Sequence, residues 1–183
     1  MSTMQAVVVY ESMYGNTRTI AEALGDGLRS VFDTTVVPVG DASKEVLAAA
    51  DLVAVGGPTH GHSLSRASTR KAAADAARVK ALKLDASSDG LGLREWFDAA
   101  DRHPQAIAVA FDTRLRLHSS VTGRAGRGIA RRLRRCGFSD VRDAGSFFVD
   151  RNNELLPGEA ERAAAWARDF VRDLPRTEEK EIP

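Results

Sequence analysis

The sequence is poor in several features that would assign it to particular classes of protein. It has one cysteine, Cys136, so no disulfide can form within the chain and a reducing compartment suits it. No apolar stretch approaches the ~20 residues that a membrane-spanning helix needs. The N-terminus also lacks the order of segments that a signal peptide shows. We therefore expect a cytoplasmic protein without a membrane span.

Net charge is nearly absent as well, but the charges are unevenly distributed. The formal charge is +1, yet nine arginines and only two aspartates lie between Asp112 and Arg142. One apolar stripe at helical spacing runs through this segment: Ala125, Ile129, Leu133 and Cys136. The arginines then fill the other faces of a surface helix. We favour this solvated face over a nucleic-acid surface, and expect Cys136 to pack as a small core residue.

Five segments have the composition of β-strands. Three are continuously apolar, which is typical of strands covered on both faces in a parallel sheet: Met4–Tyr10, Leu52–Val55 and Ala106–Phe111. Thr34–Val39 is rich in β-branched residues, and Gly145–Val149 contains two phenylalanines and a valine. Both are typical strand compositions.

Helical patterns separate these strands. Their apolar stripes are Ile20, Leu24, Leu28 and Val31; Leu93, Trp96, Phe97 and Ala100; and Ala163, Trp166, Phe170 and Leu174. The last helix is expected to start near Pro157, and both tryptophans are expected in the core. The alternation predicts one α/β domain over residues 1–175, a doubly wound five-stranded parallel sheet in the order 2-1-3-4-5. Residues 176–183 form a charged tail that we expect to be flexible.

The loop after the first strand is crowded with small and polar residues: Ser12, Met13, Tyr14, Gly15, Asn16 and Thr17. Gly15 permits a tight turn, and Asn16 or Thr17 can cap the next helix. The free N–H groups at a helix N-terminus favour an anion, and hydroxyls can add hydrogen bonds to phosphate. We favour a phosphate site over capping alone. The loop is neither GxGxxG nor GxxxxGK[ST], which disfavours a dinucleotide fingerprint or an NTPase.

Two further loops are expected at the same edge of the sheet. One contains Gly57, Pro58, Thr59, His60 and Gly61, whose glycines and rigid proline let the backbone approach a planar ligand. The other begins with Phe111, Asp112, Thr113 and Arg114. In doubly wound sheets ligands bind beyond the carboxyl ends of the strands, so three such loops predict one site. His60 and His62 have no carboxylate or cysteine at a recognised spacing, so we expect no metal.

Two other classes with this strand order lack their required residues. A response regulator needs clustered acids after strand 1 and an aspartate at the end of strand 3. Here Glu11 is the only acid directly after strand 1, and strand 3 ends in Gly-Gly-Pro. A low-molecular-weight phosphatase needs a cysteine after strand 1, where there is none.

The chain resembles the flavodoxin-like family of FMN-binding proteins. The segment SMYGNT is similar to the family's phosphate loop, a Ser/Thr-x-Thr-Gly-Asn-Thr pattern, and GGPTHG is similar to its second flavin loop. FDTR lies where the third flavin loop begins. The resemblance covers most of residues 4–174. It implies FMN, with its phosphate at Ser12–Thr17 and its ring system between 57–61 and 111–114.

The departures from the family pattern favour an enzyme over an electron carrier. Tyr14 stands where a threonine or serine is usual, which is closer to FMN-dependent quinone oxidoreductases of the tryptophan-repressor-binding type. A similar loop occurs in protoporphyrinogen oxidases of this fold. His60 stands where many flavodoxins have a stacking tryptophan. Electron-carrier flavodoxins are also very acidic, unlike this chain.

The resemblance implies an oxidoreductase that passes electrons or hydride from NAD(P)H or a reductase to a quinone-like or protein acceptor, without a catalytic side chain. An electron carrier and a flavodoxin-fold interaction module without FMN stay open as alternatives, as does a homo-oligomer. Ser63 to Leu91 is longer than a usual connection. It is either a solvated excursion or a lid whose cations, Arg66 and Arg70, receive an anionic donor.

Overall fold

The computed structural model describes residues 3–59, 63–99, 106–117 and 123–174. Its five strands are β1 Gln5–Tyr10, β2 Asp33–Pro38, β3 Leu52–Pro58, β4 Ile107–Leu115 and β5 Asp140–Val149. They form one sheet in the order β2-β1-β3-β4-β5, and all four neighbouring pairs are parallel. The predicted fold class and strand order are confirmed. The tail 176–183 lies outside the described residues.

Two strands run farther than the sequence pattern predicts. β3 includes Gly57 and Pro58, and β4 continues through residues 111–114 to Leu115. The reason is backbone pairing, because Gly57 lies opposite Asp112 and Pro58 opposite Thr113 in the β3–β4 ladder. The expectation that Phe111 to Arg114 begin a loop is therefore wrong. These residues alternate between the two faces of the sheet instead.

Helices cover both faces of the sheet. They are α1 Asn16–Leu28, α2 Lys44–Ala48, α3 Ala67–Lys80, α4 Leu93–Ala99, α5 Ala125–Arg135 and α6 Glu159–Arg172. One core cluster contains side chains of α2, α4 and α5, and the other contains side chains of α1 and α6. None of the described helices combines the length and the apolar composition that spanning a bilayer requires.

Most of the predicted helix stripes face the core. Trp96 is 7% exposed, and its indole Nε1 donates to the Ala42 carbonyl at 2.9 Å. Trp166 packs at the margin of the other cluster. Among the described residues of these stripes, Val31 is an exception, with 42% of its surface exposed, because α1 ends at Leu28 and the helical spacing stops there. Ala100 of the second stripe lies outside the described residues. Cys136 packs against the core, and burial raises the pKa of its thiol.

The helix α6 begins two residues after Pro157, near its predicted start, but Pro157 is not part of its first turn. Gly158, with φ at 82°, is the N-cap, so Pro157 lies before the helix and not in its first turn. The first helical residue, Glu159, is buried, and its carboxylate accepts hydrogen bonds from the Phe148 N–H at 2.7 Å and from Arg162 Nε at 3.0 Å. Glu159 therefore ties the helix to the sheet.

Glu159 gives a prediction for the pH dependence of stability. Burial acts to raise the pKa of Glu159, but hydrogen bonds from Arg162 and Phe148 outweigh it and hold the pKa below its ordinary value of 4.5. A lowered carboxyl pKa stabilises the fold above the unfolded-state pKa, and that contribution disappears as the pH falls through the folded-state pKa. We expect Glu159→Gln to cost about 2 kcal/mol at neutral pH.

Urea unfolding at neutral pH and again well below pH 4.5 tests this expectation. The difference between wild type and Glu159→Gln should narrow at the acidic pH. Glu161→Gln is the matched control, since Glu161 lies in the same helical turn and is exposed. If Glu159→Gln lowers the free energy of unfolding by the same amount at both pH values, the ionised Glu159 carboxylate is not the source of the stabilisation.

Candidate functional site

A pocket of about 310 Å³ opens at the carboxyl edge of the sheet, beside the first turn of α1. Predicted residues from all three segments line it: Ser12, Met13, Tyr14, Asn16, Thr17, Pro58, Thr59, Thr113 and Arg114. Four residues outside the prediction complete the lining: Ala73, Leu115, Val149 and Asn153. The topology therefore brings three separate stretches of sequence to one concave surface, as expected for the edge of a doubly wound sheet.

Some predicted site residues do not bring their side chains to the pocket. Phe111 is fully buried in the core cluster beneath α1 and α6. Asp112 is also fully buried, on the opposite face of the sheet beside α5. Gly57 lies inside β3, facing Leu93. His60 and Gly61 lie outside the described residues.

The buried carboxylate of Asp112 has a structural task. It accepts hydrogen bonds from the Gly126 N–H at 2.8 Å and from Ser146 Oγ at 2.6 Å. Burial raises the pKa of Asp112, although these hydrogen bonds and the nearby Arg124 and Arg114 oppose the rise. Since Gly126 lies in the first turn of α5, Asp112 fixes the start of that helix against β4 and β5.

The loop between β1 and α1 leaves the start of the helix open. Gly15 is the N-cap, with φ at 91°, and no side chain of the described residues caps the helix. The prediction that Asn16 or Thr17 caps it is wrong. Ser12 Oγ accepts a hydrogen bond from the Gly15 N–H at 3.1 Å, and the first turn contains no acid. Uncapped N–H groups and the positive end of the helix dipole suit an anion.

Threonine hydroxyls join the segments around the pocket. Thr17 Oγ1 and Thr113 Oγ1 lie 2.8 Å apart, and both side chains are buried. The Thr59 N–H donates to the Thr113 carbonyl at 2.9 Å, and Thr59 Oγ1 accepts from the Ala125 N–H at 3.0 Å. Thr113 thus connects α1 to β3, and Thr59 connects β3 to α5. These contacts fix the relative positions of the three predicted segments.

Arg114 contributes a positive charge to the pocket wall. Its guanidinium carbon lies 4.9 Å from the centre of the Phe148 ring, and Nη1 donates to the Leu117 carbonyl at 2.8 Å. Burial lowers the pKa of Arg114, and Asp112 opposes that shift. Stacking on the ring and the hydrogen bond hold the guanidinium in one orientation.

The turn after β5 is the part of the pocket that the sequence prediction missed. Asn153 has a left-handed backbone, with φ at 62°, and its carbonyl accepts from Asn16 Nδ2 at 2.6 Å. Asp150 Oδ1 shapes the turn by accepting from the Asn152 and Glu154 N–H groups. The turn-forming composition Asp-Arg-Asn-Asn directly after the fifth predicted strand was the available signal.

The segment from 63 to 91 contributes Ala73 to the pocket lining and is hydrogen-bonded to the first loop. The Tyr14 hydroxyl donates to the Ala73 carbonyl of α3 at 2.9 Å, and the Asp85 N–H donates to the Met13 carbonyl at 2.9 Å. Burial raises the pKa of the Tyr14 phenol. Tyr14 therefore uses its hydroxyl to hold α3 against the first loop, and the hydroxyl is not a free donor toward the pocket.

Arg70 does not match the expected lid cation. Its side chain is 13% exposed and donates to Ser65 Oγ and to Glu95 Oε1, each at 3.1 Å. Ser65 in turn donates to the buried Glu11, which also accepts from the Leu93 N–H at 2.8 Å. Arg70 thus belongs to an internal network that anchors the segment beside β1. Arg66 is exposed.

The fold and site together define a class of protein. A parallel sheet in this order, with its pocket beside the first βα turn and a glycine at the helix N-cap, is typical of doubly wound proteins that bind a phosphorylated ligand. Residues 8–96 match the family described as Flavodoxin, whose members bind FMN. No curated protein matches the chain.

Solved structures with the same fold include flavodoxins at low sequence identity. A flavodoxin from the domain Archaea is 20% identical with a TM-score of 0.59, covering 92% of this chain and 97% of that chain. A flavodoxin from Streptococcus pneumonia is 17% identical with a TM-score of 0.60, and the match covers 93% of this chain and 99% of that chain. A flavodiiron core from Synechocystis sp. is 16% identical with a TM-score of 0.57; 93% of this chain matches 36% of that one. At these identities the similarity establishes the fold.

Proposed function

We propose that this chain binds FMN in the pocket beside α1 and transfers electrons or hydride between a reduced donor and an acceptor. One observation supports this most directly. The first turn of α1 begins at a left-handed glycine without a side-chain cap, next to a pocket that the segments after β1 and at the ends of β3 and β4 share. That arrangement suits a phosphate attached to a larger ligand.

The proposed phosphate site consists of Ser12, Gly15, Asn16 and Thr17. The backbone N–H groups of the first helical turn supply donors, and that turn contains no acid. The nearest carboxylate among the described residues is that of Asp85, whose Oδ2 lies 3.8 Å from the position of a Cβ atom on Gly15 and forms an ion pair with Arg18 Nε at 3.4 Å. The Ser12 hydroxyl, which accepts from Gly15, keeps its own hydrogen available for donation. These groups would hold the phosphate without a charged side chain in direct contact.

The proposed ring site lies between Pro58–Thr59 and Thr113–Arg114, with Met13 and Tyr14 nearby. When bound, FMN supplies the redox chemistry, and the protein supplies position and electrostatics. The strand pairing of Pro58 with Thr113 makes this part of the site rigid. The Arg114 guanidinium favours additional negative charge in the pocket. No side chain is assigned as nucleophile, acid or base.

The first loop suggests which branch of the family the chain resembles and which donor and acceptor it uses. The sequence Ser-Met-Tyr-Gly supports the quinone-oxidoreductase-like branch, with NAD(P)H or a reductase as donor and a quinone-like molecule or a protein as acceptor. The nearly neutral charge separates the chain from acidic electron carriers. The single cysteine is consistent with a cytoplasmic location, which we include in the proposal.

The visible absorption spectrum of the purified protein, followed by titration with FMN, tests the proposal. We expect flavin bands and saturable binding with one site per chain. Riboflavin, which lacks the phosphate, should bind more weakly if the phosphate site is assigned correctly. If the protein shows no flavin bands and does not bind added FMN, the redox function is rejected. The flavodoxin-fold interaction module without FMN is then the remaining alternative.

A second measurement separates an enzyme from an electron carrier. With FMN bound, turnover of NAD(P)H with a soluble quinone supports the enzyme. If the flavin is reduced only when a partner reductase is added, the chain is a carrier, and the proposed donor is wrong.

A further inference from the structure

The exposed side of α5 carries a row of arginines. The four exposed members follow one another at helical spacing: Arg127, Arg131, Arg134 and Arg135. Residues three, four, seven and eight positions apart lie on one side of an α-helix. The opposite side contains Ile129 and Leu133, which are fully buried. The row therefore faces away from the sheet, and we call it the arginine surface.

Few negative charges neutralise the arginine surface. In the part of the chain that the structure describes, no salt bridge includes Arg127, Arg131 or Arg135. Arg134 donates to the Val141 carbonyl at 3.2 Å. Like charges four residues apart on a helix destabilise it. The helix dipole favours the cations Arg134 and Arg135, which lie in the last turn of α5, but not Arg127 and Arg131, which lie before that turn.

The positive potential extends across the neighbouring helix. Arg132 is partly buried between the row and α4. Burial and the positive charges of Arg94, Arg135 and Arg131 lower the pKa of its guanidinium, and the negative charge of Asp98 opposes that shift. Arg94 donates to the Ser65 carbonyl at 3.0 Å and to Ser63 Oγ at 3.1 Å. The positive surface therefore reaches the segment that follows β3.

The arginine surface also adjoins the proposed flavin pocket. The first residue of α5, Ala125, donates its N–H to Thr59 Oγ1 at 3.0 Å, and Thr59 lines the pocket. An 11-residue helix is about 16 Å long at ~1.5 Å per residue. The first turn of α5, which contains Arg127, therefore lies next to the pocket, and Arg131 and Arg135 lie about 9 and 15 Å from Ala125 along the helix axis.

We propose that the arginine surface is the docking site of an acidic redox protein that exchanges electrons with the pocket. Complementary charge at the rim of a redox site accelerates encounter and orients the partner. A nucleic acid is the less favoured ligand, because α5 carries no aromatic side chain on which bases stack. The redox role rests on the proposed function, whereas docking is measured without FMN turnover.

The test uses a plant-type [2Fe–2S] ferredoxin, a strongly acidic redox protein, as the probe. Binding to the full chain is measured at about 0.01 M and about 0.15 M ionic strength, where the Debye length falls from ~30 Å to ~8 Å. We expect Arg131→Glu/Arg135→Glu to weaken binding at the lower ionic strength about tenfold, mainly through the association rate.

The matched control is Arg168→Glu/Arg172→Glu on α6. It has the same change in net charge and the same spacing of four residues, but it lies in the helix layer on the opposite face of the sheet. An equal loss in both double variants would show a general charge effect and overturn the proposal, as would no binding of the probe by wild type.

Two further measurements distinguish a loss of docking from unfolding and from nucleic-acid binding. Far-ultraviolet circular dichroism and urea unfolding of both double variants show whether the fold is intact. If a DNA duplex or a single-stranded RNA binds more tightly than ferredoxin and loses affinity in Arg131→Glu/Arg135→Glu, the surface is a nucleic-acid site and the proposal is wrong. A failed FMN titration with docking intact rejects only the redox function.

Discussion

Replacing Asn16 with aspartate is expected to raise the dissociation constant for FMN at least ~tenfold, which corresponds to about 1.4 kcal/mol. Asn16 is the first residue of α1 and lines the pocket. A carboxylate at this position is attracted to the positive end of the helix and repels a phosphate that binds there. Titration of wild type and variant with FMN, followed by absorbance or flavin fluorescence, measures the change.

Riboflavin distinguishes a phosphate effect from damage to the pocket. Its affinity should be the same in wild type and Asn16→Asp, because it carries no phosphate. Asn16 Nδ2 donates to the Asn153 carbonyl at 2.6 Å, so the variant loses that hydrogen bond while it gains a favourable interaction with the helix dipole. We expect stability to change by about 1 kcal/mol or less.

Asn152→Asp is the control for charge near the site. It makes the same chemical change in the turn that contains Asn153, but its side chain is exposed and does not line the pocket. FMN affinity should fall much less in this variant. If FMN and riboflavin weaken equally in Asn16→Asp, the phosphate does not bind at the start of α1.

Gly56→Ala is expected to lower the free energy of unfolding by about 3 kcal/mol, at the upper end of ordinary overpacking costs. A Cβ atom at Gly56 would lie 2.1 Å from Phe111 Cε2, in the aromatic ring that faces this glycine across the β3–β4 ladder. Phe111 is fully buried, and a close-packed interior offers its ring little room to move. Urea unfolding measures the loss.

A second substitution identifies the clash as the cause. Phe111→Leu removes the ring atoms that the new methyl group would meet, so the double variant should be more stable than the sum of the two single effects predicts. Gly40→Ala is the control, since no atom lies within 4 Å of a Cβ built there. Strictly additive effects would show that Phe111 does not cause the loss at Gly56.

Much of the architecture was predictable because it depends on composition and periodicity. The apolar runs around Val8, Ala54 and Val109 specify buried parallel strands, and the stripe of Ile20, Leu24 and Leu28 specifies one face of α1. The ends of elements were less predictable. Val31 continues the apolar spacing but lies beyond the C-cap, Arg29, because helix termination depends on local backbone geometry that spacing alone does not report.

The sequence by itself determined that three segments could reach one edge of the sheet, since strand order and parallel direction place the carboxyl ends of β1, β3 and β4 together. Tertiary structure decided which side chains face the pocket. Because β4 continues through the predicted third loop, Thr113 faces Thr17 of α1 while Asp112 points to the opposite face and binds Gly126 of α5. Alternation along a strand separates such neighbours, and pairing with β3 fixes the register.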